Sequence, residues 1–136
     1  MIKIVIAAHG ELAQELVNSA EIIAGKQSNL YAVNRDINDS LMLMYDRVNS
    51  LLKNINDKDG TLILTDMLGG TPCNAAVPMC KAFDTEILSG VNLPMVLSAI
   101  FSSRNAASAS DVAEKVLIDG QKSIINVKEV LLKKIK

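Results

Sequence analysis

Apolar and polar positions fall into alternating blocks along this chain, with two different internal periods. Ile2 to Ala8 is a nearly unbroken apolar run rich in Ile and Val, with Lys3 the one polar residue inside it. Such a run predicts a strand covered on both faces. From Glu11 to Ala24 the period lengthens. Leu12, Leu16, Ala20 and Ile23 fall at helical spacing, and Gly25 supplies a stop. Leu30 to Val33 is a short second strand. Behind the polar opener Asn38-Asp39-Ser40 comes a long helix with Leu41, Met44, Tyr45, Val48, Leu51, Leu52 and Ile55 on one face.

The second half repeats the alternation. Asn56 to Gly60 is a polar turn, and Thr61 to Thr65 is the third strand. Thr71 reads as a helix N-cap with Pro72 at the first helical position, and Pro78 should kink or shorten that helix. Glu86 to Val91 is a fourth strand, followed by Asn92-Leu93-Pro94 and an apolar helix from Met95 to Phe101. Ser102 to Ser108 is a loop, and Ser110-Asp111 caps a helix running to about Asp119. Ser123 to Val127 is β-like and a candidate final strand, with helix as the alternative. Lys133, Lys134 and Lys136 flank Ile135 at a solvated end. Strand–helix alternation of this kind predicts an α/β domain with a mostly parallel sheet between helical layers. No repeat, low-complexity segment or linker divides residues 1–136, so the chain is expected to be a single domain.

Composition narrows the function classes. A chain of 136 residues buries about 68% of its unfolded surface, and its 49% hydrophobic content suits an ordered globule. Aromatic residues make up 3% and the net charge is −1, so neither base-stacking platforms nor a basic stripe is available for nucleic acid. No apolar run reaches the roughly 18 residues of a membrane span, and the N-terminus has no signal-peptide pattern, so a cytoplasmic protein is expected. Cys73 and Cys80 are too far apart to bridge within one helix and belong to no metal-ligand set. Both read as small buried residues in a reducing compartment, and neither metal nor cofactor is expected.

The candidate chemistry sits at the strand ends. His9, the one histidine, ends the first apolar run and is followed by Gly10. Asp66 ends the third strand and runs into Gly69-Gly70-Thr71-Pro72. Both therefore lie on the carboxyl edge of the sheet, where open α/β sheets hold their ligands. Imidazole is a good phosphoryl acceptor, because one ring nitrogen stays unprotonated near neutral pH. Asp66 can accept the N–H of one ring nitrogen and leave the other free to attack. Gly69 and Gly70 let backbone N–H groups approach a phosphoryl oxygen, Thr71 adds a hydroxyl, and the helix start points its positive end there. No GxGxxG follows the first strand and GGTPCN has no P-loop lysine, which disfavours dinucleotide binding and nucleotide hydrolysis.

His9-Gly10, Asp66-x-x-Gly69-Gly70-Thr71-Pro72-x-Asn74 and Gly90-Val91-Asn92-Leu93-Pro94-Met95 occur together in this order. With them the chain resembles, over essentially its whole length, the enzyme IIA domain of the mannose/fructose/sorbose class of the bacterial sugar phosphotransferase system. The resemblance implies a phosphotransferase in which His9 takes a phosphoryl group from phospho-HPr and passes it to a IIB partner. It implies that Asp66 orients His9 and that Thr71 stands near the phosphoryl group. It further implies a three-layer α/β/α sandwich whose antiparallel edge strand, here Ser123 to Val127, is exchanged in a homodimer. The chain carries no IIB domain, so IIB would be a separate protein, and the membrane components IIC and IID, which select the sugar, would be indirect partners. Two rivals remain: a receiver-like domain phosphorylated on Asp66, and a ligand-binding module using the same crevice. The first needs acidic metal ligands where Ala8-His9 stands.

Overall fold

In the computed structural model, which describes residues 1–135, the predicted alternation becomes a four-stranded, all-parallel sheet in the order β2-β1-β3-β4. The elements are β1 (Lys3–His9), α1 (Leu12–Ala24), β2 (Leu30–Arg35), α2 (Leu41–Ile55), β3 (Thr61–Thr65), α3 (Thr71–Ala76), α4 (Met79–Ala82), β4 (Thr85–Ser89), α5 (Leu93–Ser102), α6 (Ala109–Lys122) and α7 (Val127–Ile135). The central strands read as unbroken apolar runs because helices cover both faces. Ile4, Ile6, Ala8, Leu62 and Leu64 pack with Val96, Ile100, Val112 and Val116 on the side of α1, α5 and α6. On the other side Val5, Ala7, Val33 and Ile63 pack with Met44, Val48, Leu52, Ala75, Ala76 and Met79.

Helix starts follow side-chain chemistry. The hydroxyl of Ser40 accepts the N–H of Leu43, the Asn92 side chain that of Met95, and the Ser108 hydroxyl that of Asp111. The cap of α6 is thus Ser108, two residues before the expected Ser110, and α6 runs on to Lys122. Gly70, not Thr71, is the N-cap of α3; Thr71 is already helical. Pro78 has the expected effect, splitting the segment into α3 and α4. That break leaves Cys80 exposed on α4 while Cys73 is buried, so only one thiol is the core residue expected.

The candidate last strand is the main departure. Residues 123–126 are irregular and lead into α7. The Asn126 side chain accepts the N–H of Glu129 and its carbonyl that of Val130, which starts a helix there. Ile124 and Ile125 are exposed, and the outer edge of β4 has no strand partner among the described residues. A single chain offers this segment no antiparallel neighbour. Of the terminal lysines, Lys136 lies outside the described residues.

Candidate functional site

The site is assembled where β1 and β3 end side by side. Ala7 pairs with Thr65, so His9 extends past the last residue of β3 and meets the segment that follows it. Asp66 Oδ2 accepts two bonds from this one residue: the backbone N–H of His9 at 2.9 Å and its ring Nδ1 at 2.7 Å. The other oxygen, Oδ1, accepts the N–H of Met67 at 3.0 Å. Every bond to this carboxylate comes from a donor, and the Asp66 side chain is only 13% exposed against 39% for His9. Burial pushes the Asp66 carboxyl up, but the His9 backbone N–H, the His9 ring bond and the attraction of the ring outweigh it. The carboxyl is held below its ordinary value of 3.8.

An ionised Asp66 can only accept, so the short Nδ1 contact assigns the proton to Nδ1 and leaves Nε2 as the open nitrogen. The loop that follows fits closely over the ring. A Cβ added to Gly70 would lie 2.7 Å from His9 Cε1, which only glycine avoids. Gly69 has φ +84°, a left-handed conformation that lets the turn reach the start of α3. The turn is tied by Gly70 N–H to the Met67 carbonyl and by the Asn74 side chain to the Gly69 carbonyl. The N–H groups of Gly69 and Thr71 have no protein acceptor among the described residues, and the Thr71 hydroxyl makes no hydrogen bond there. His9, Asp66 and Gly70 are therefore in one cluster, with Gly69 and Thr71 flanking it in the chain.

One neighbour escaped the reading of the sequence. β2 runs two residues beyond Val33, and Arg35 is the register partner of His9. The signal was the length of the apolar run, which stops at Val33 although a strand tip at a sheet's carboxyl edge tolerates polar residues. Arg35 donates to the Asp39 carbonyl at 2.9 Å, and the Asp39 carboxylate is taken by Arg47. That guanidinium holds the Asp39 carboxyl below the usual carboxylate range. Among the described residues no three His, Cys, Asp or Glu side chains gather as a metal site.

Fold and edge together define a parallel α/β domain that presents a carboxylate-oriented imidazole to solvent. The family profile EIIA-man, described as the PTS system fructose IIA component, matches residues 3–117. The chain is 30% identical to the fructose-specific EIIA component of Bacillus subtilis, over 90% of this chain and 84% of that one. It is 27% identical to the mannose-specific EIIAB component of Escherichia coli, again over 90% of this chain but only 38% of the relative's length. A crystal structure of phosphotransferase system component EIIA from Streptococcus agalactiae superposes with a TM-score of 0.85 at 30% identity, covering 95% of this chain and 99% of that one. The chain belongs to the EIIA-man family, the mannose/fructose/sorbose-class IIA components of the sugar phosphotransferase system. No helix among the described residues is long and apolar enough to cross a membrane.

Proposed function

We propose that this domain is a phosphoryl carrier: His9 Nε2 accepts a phosphoryl group from phospho-HPr and delivers it to a IIB component. The observation that carries the reading is the Asp66–Nδ1 bond of 2.7 Å, which leaves the other ring nitrogen without a protein partner among the described residues, beside a close-fitting glycine turn. In the transfer the lone pair of Nε2 attacks phosphorus, the bond from phosphorus to the donor's carrying atom breaks, and that atom leaves with the bonding pair. His9 keeps its Nδ1 proton, and the Asp66 carboxylate stabilises the positive charge that develops on the ring. The unpaired N–H groups of Gly69 and Thr71 and the Thr71 hydroxyl are the donors proposed for the phosphoryl oxygens. Phosphoryl passage to IIB reverses the same step, and IIC and IID are reached through IIB.

A macromolecular donor fits the surroundings. Leu12, Ile37, Leu41, Met42, Met67 and Leu68 stand exposed on segments that follow β1, β2 and β3, forming an apolar surround to the strand tips. An apolar patch beside a reactive group marks a protein-docking face. The receiver-like alternative places the phosphoryl group on Asp66, whose two oxygens are already committed to three donors. Incubation with phosphoenolpyruvate, enzyme I and HPr should label the chain, with label stable in alkali and lost in acid. Label that resists acid and is released by hydroxylamine overturns the His9 reading in favour of a carboxyl phosphate.

The dimer belongs to the same proposal. The open β4 edge and the exposed Ile124 and Ile125 are two unpartnered surfaces of one chain, and strand exchange between copies would cover both. Deleting residues 123–136 should give a monomer or an aggregating protein. A truncated chain that stays a well-folded dimer places the interface elsewhere.

A further inference from the structure

We infer that Arg35 is a further phosphoryl-binding residue, whose guanidinium meets the phosphoryl group carried on His9. The inference rests on the phosphohistidine reading and adds to it a cation from this chain itself. In the parallel pairing of β1 and β2, His9 and Arg35 stand opposite each other, so their side chains leave the sheet on the same face. That face is the one on which Ala7 and Val33 pack beneath α2 and α3. Immediately beyond, the Gly10 N–H donates to the Arg35 carbonyl at 2.7 Å and fastens the two strand tips together. The pair is thus held in place by backbone, independently of either side chain.

The guanidinium has capacity to spare. Of its five N–H donors, Nη2 reaches the Asp39 carbonyl, and Nε is buried without an acceptor among the described residues. A buried donor left unpaired is costly, and an entering anionic oxygen would supply what it lacks. Its charge is only weakly engaged, as the smallest of the attractions that lower the Asp39 carboxyl. The one buried carboxylate near it, on Asp39, is occupied by both terminal nitrogens of Arg47. Glu11 and Asp36 lie on the same edge, exposed to solvent, and neither bonds to Arg35.

The electrostatics of the site call for such a group. A phosphoryl dianion on Nε2 would share one imidazole with the Asp66 carboxylate on Nδ1, and like charges at that range repel. A cation on the β2 side offsets this repulsion, and a planar guanidinium matches two phosphoryl oxygens at once. Exchange of the neutral Asp39 carbonyl for a dianion favours the phosphorylated state, because a charge-assisted bond is about twice as strong.

The test compares the wild type with R35Q and R35K at equilibrium with phospho-HPr and HPr. R35Q should lower the phosphorylated fraction's equilibrium constant by about 10- to 100-fold, the range for one lost bond to a charged group. R35K, which keeps the charge but not the fork, should recover part of it. Chemical phosphorylation by phosphoramidate, in which ammonia leaves as the N–P bond forms, removes partner docking from the comparison. The ³¹P resonance of phospho-His9 should then differ between wild type and R35Q. An R35Q chain that equilibrates like the wild type overturns the role of Arg35 alone. R35K falling as far as R35Q with an unmoved ³¹P resonance also overturns it, showing that the side chain only braces the residue 36–39 loop. A wild-type chain that takes no phosphoryl group fails the functional reading itself, and the inference with it.

Discussion

Two loops flank His9, and they are built on opposite plans. The loop after β3, Asp66 to Gly70, is held by its first side chain: one carboxylate binds the strand tip, the imidazole and the loop's own backbone. The loop after β2, Asp36 to Ser40, is held from outside, by Arg35 on the Asp39 carbonyl and Arg47 on the Asp39 carboxylate. The first loop fixes the His9 imidazole and leaves no room for an added atom at Gly70. The second leaves Arg35, the register partner of His9, on a single bond to a neutral carbonyl. The imidazole is thus held rigidly, and the guanidinium by one exchangeable bond.

Substitutions test this contrast most severely on the β3 side. H9Q should abolish phosphoryl transfer, since no other imidazole exists in the chain; residual label in a transfer assay would move the acceptor elsewhere. D66N should follow, with a loss of about 10²- to 10³-fold in rate, below the roughly 10⁴ known for an orienting aspartate in a hydrolytic triad. The amide cannot satisfy both ends. With its oxygen toward His9 its NH₂ faces the Met67 N–H, and with the NH₂ toward His9 it faces two donors. Transfer at the wild-type rate, or a ³¹P and ¹⁵N assignment of the phosphate to Nδ1, would remove the orienting role.

G70A should cost about 10²-fold, because the new methyl must displace the ring at Cε1, and a displacement near 1 Å is worth that much. Its thermal stability should change less than its rate. Equal loss of both would make Gly70 a folding residue first. The smallest expected effect is one of acid stability. The Asp66 carboxyl sits below its unfolded value, so its ionised form stabilises the fold above about pH 4. That contribution is lost as the pH falls through the lowered folded value. Thermal melts of the wild type should therefore drop on acidification below pH 4, and D66N should show a flatter profile over the same window. Parallel profiles would mean that the bond is equally strong in both protonation states.

The β3 loop was legible in the sequence because its signals are local. An apolar five-residue strand, an acidic tip and a glycine pair all lie within ten residues and need no partner to interpret them. The cap was misplaced by one residue: Thr71 is a good capping type, yet it is already helical, and the N-cap is Gly70, whose place over the ring leaves no room for a side chain. The β2 loop was not legible. Arg35 comes beside His9 only through the pairing of β2 with β1, a relation between residues 26 positions apart that no period records. Ser123 to Val127 failed differently. Five apolar and polar residues fit a strand or a helix entry equally well, and the cap at Asn126 decided between them.

The single open nitrogen has a kinetic consequence. With Nδ1 taken by Asp66, the donor and acceptor proteins of the proposed carrier role would have to approach His9 through the same opening, one after the other. On that proposal no ternary complex of the three proteins would be productive. Turnover of a carrier built this way follows double-displacement kinetics, with parallel lines in reciprocal plots, and an excess of unphosphorylated HPr or of phosphorylated IIB slows the flux by occupying the shared door.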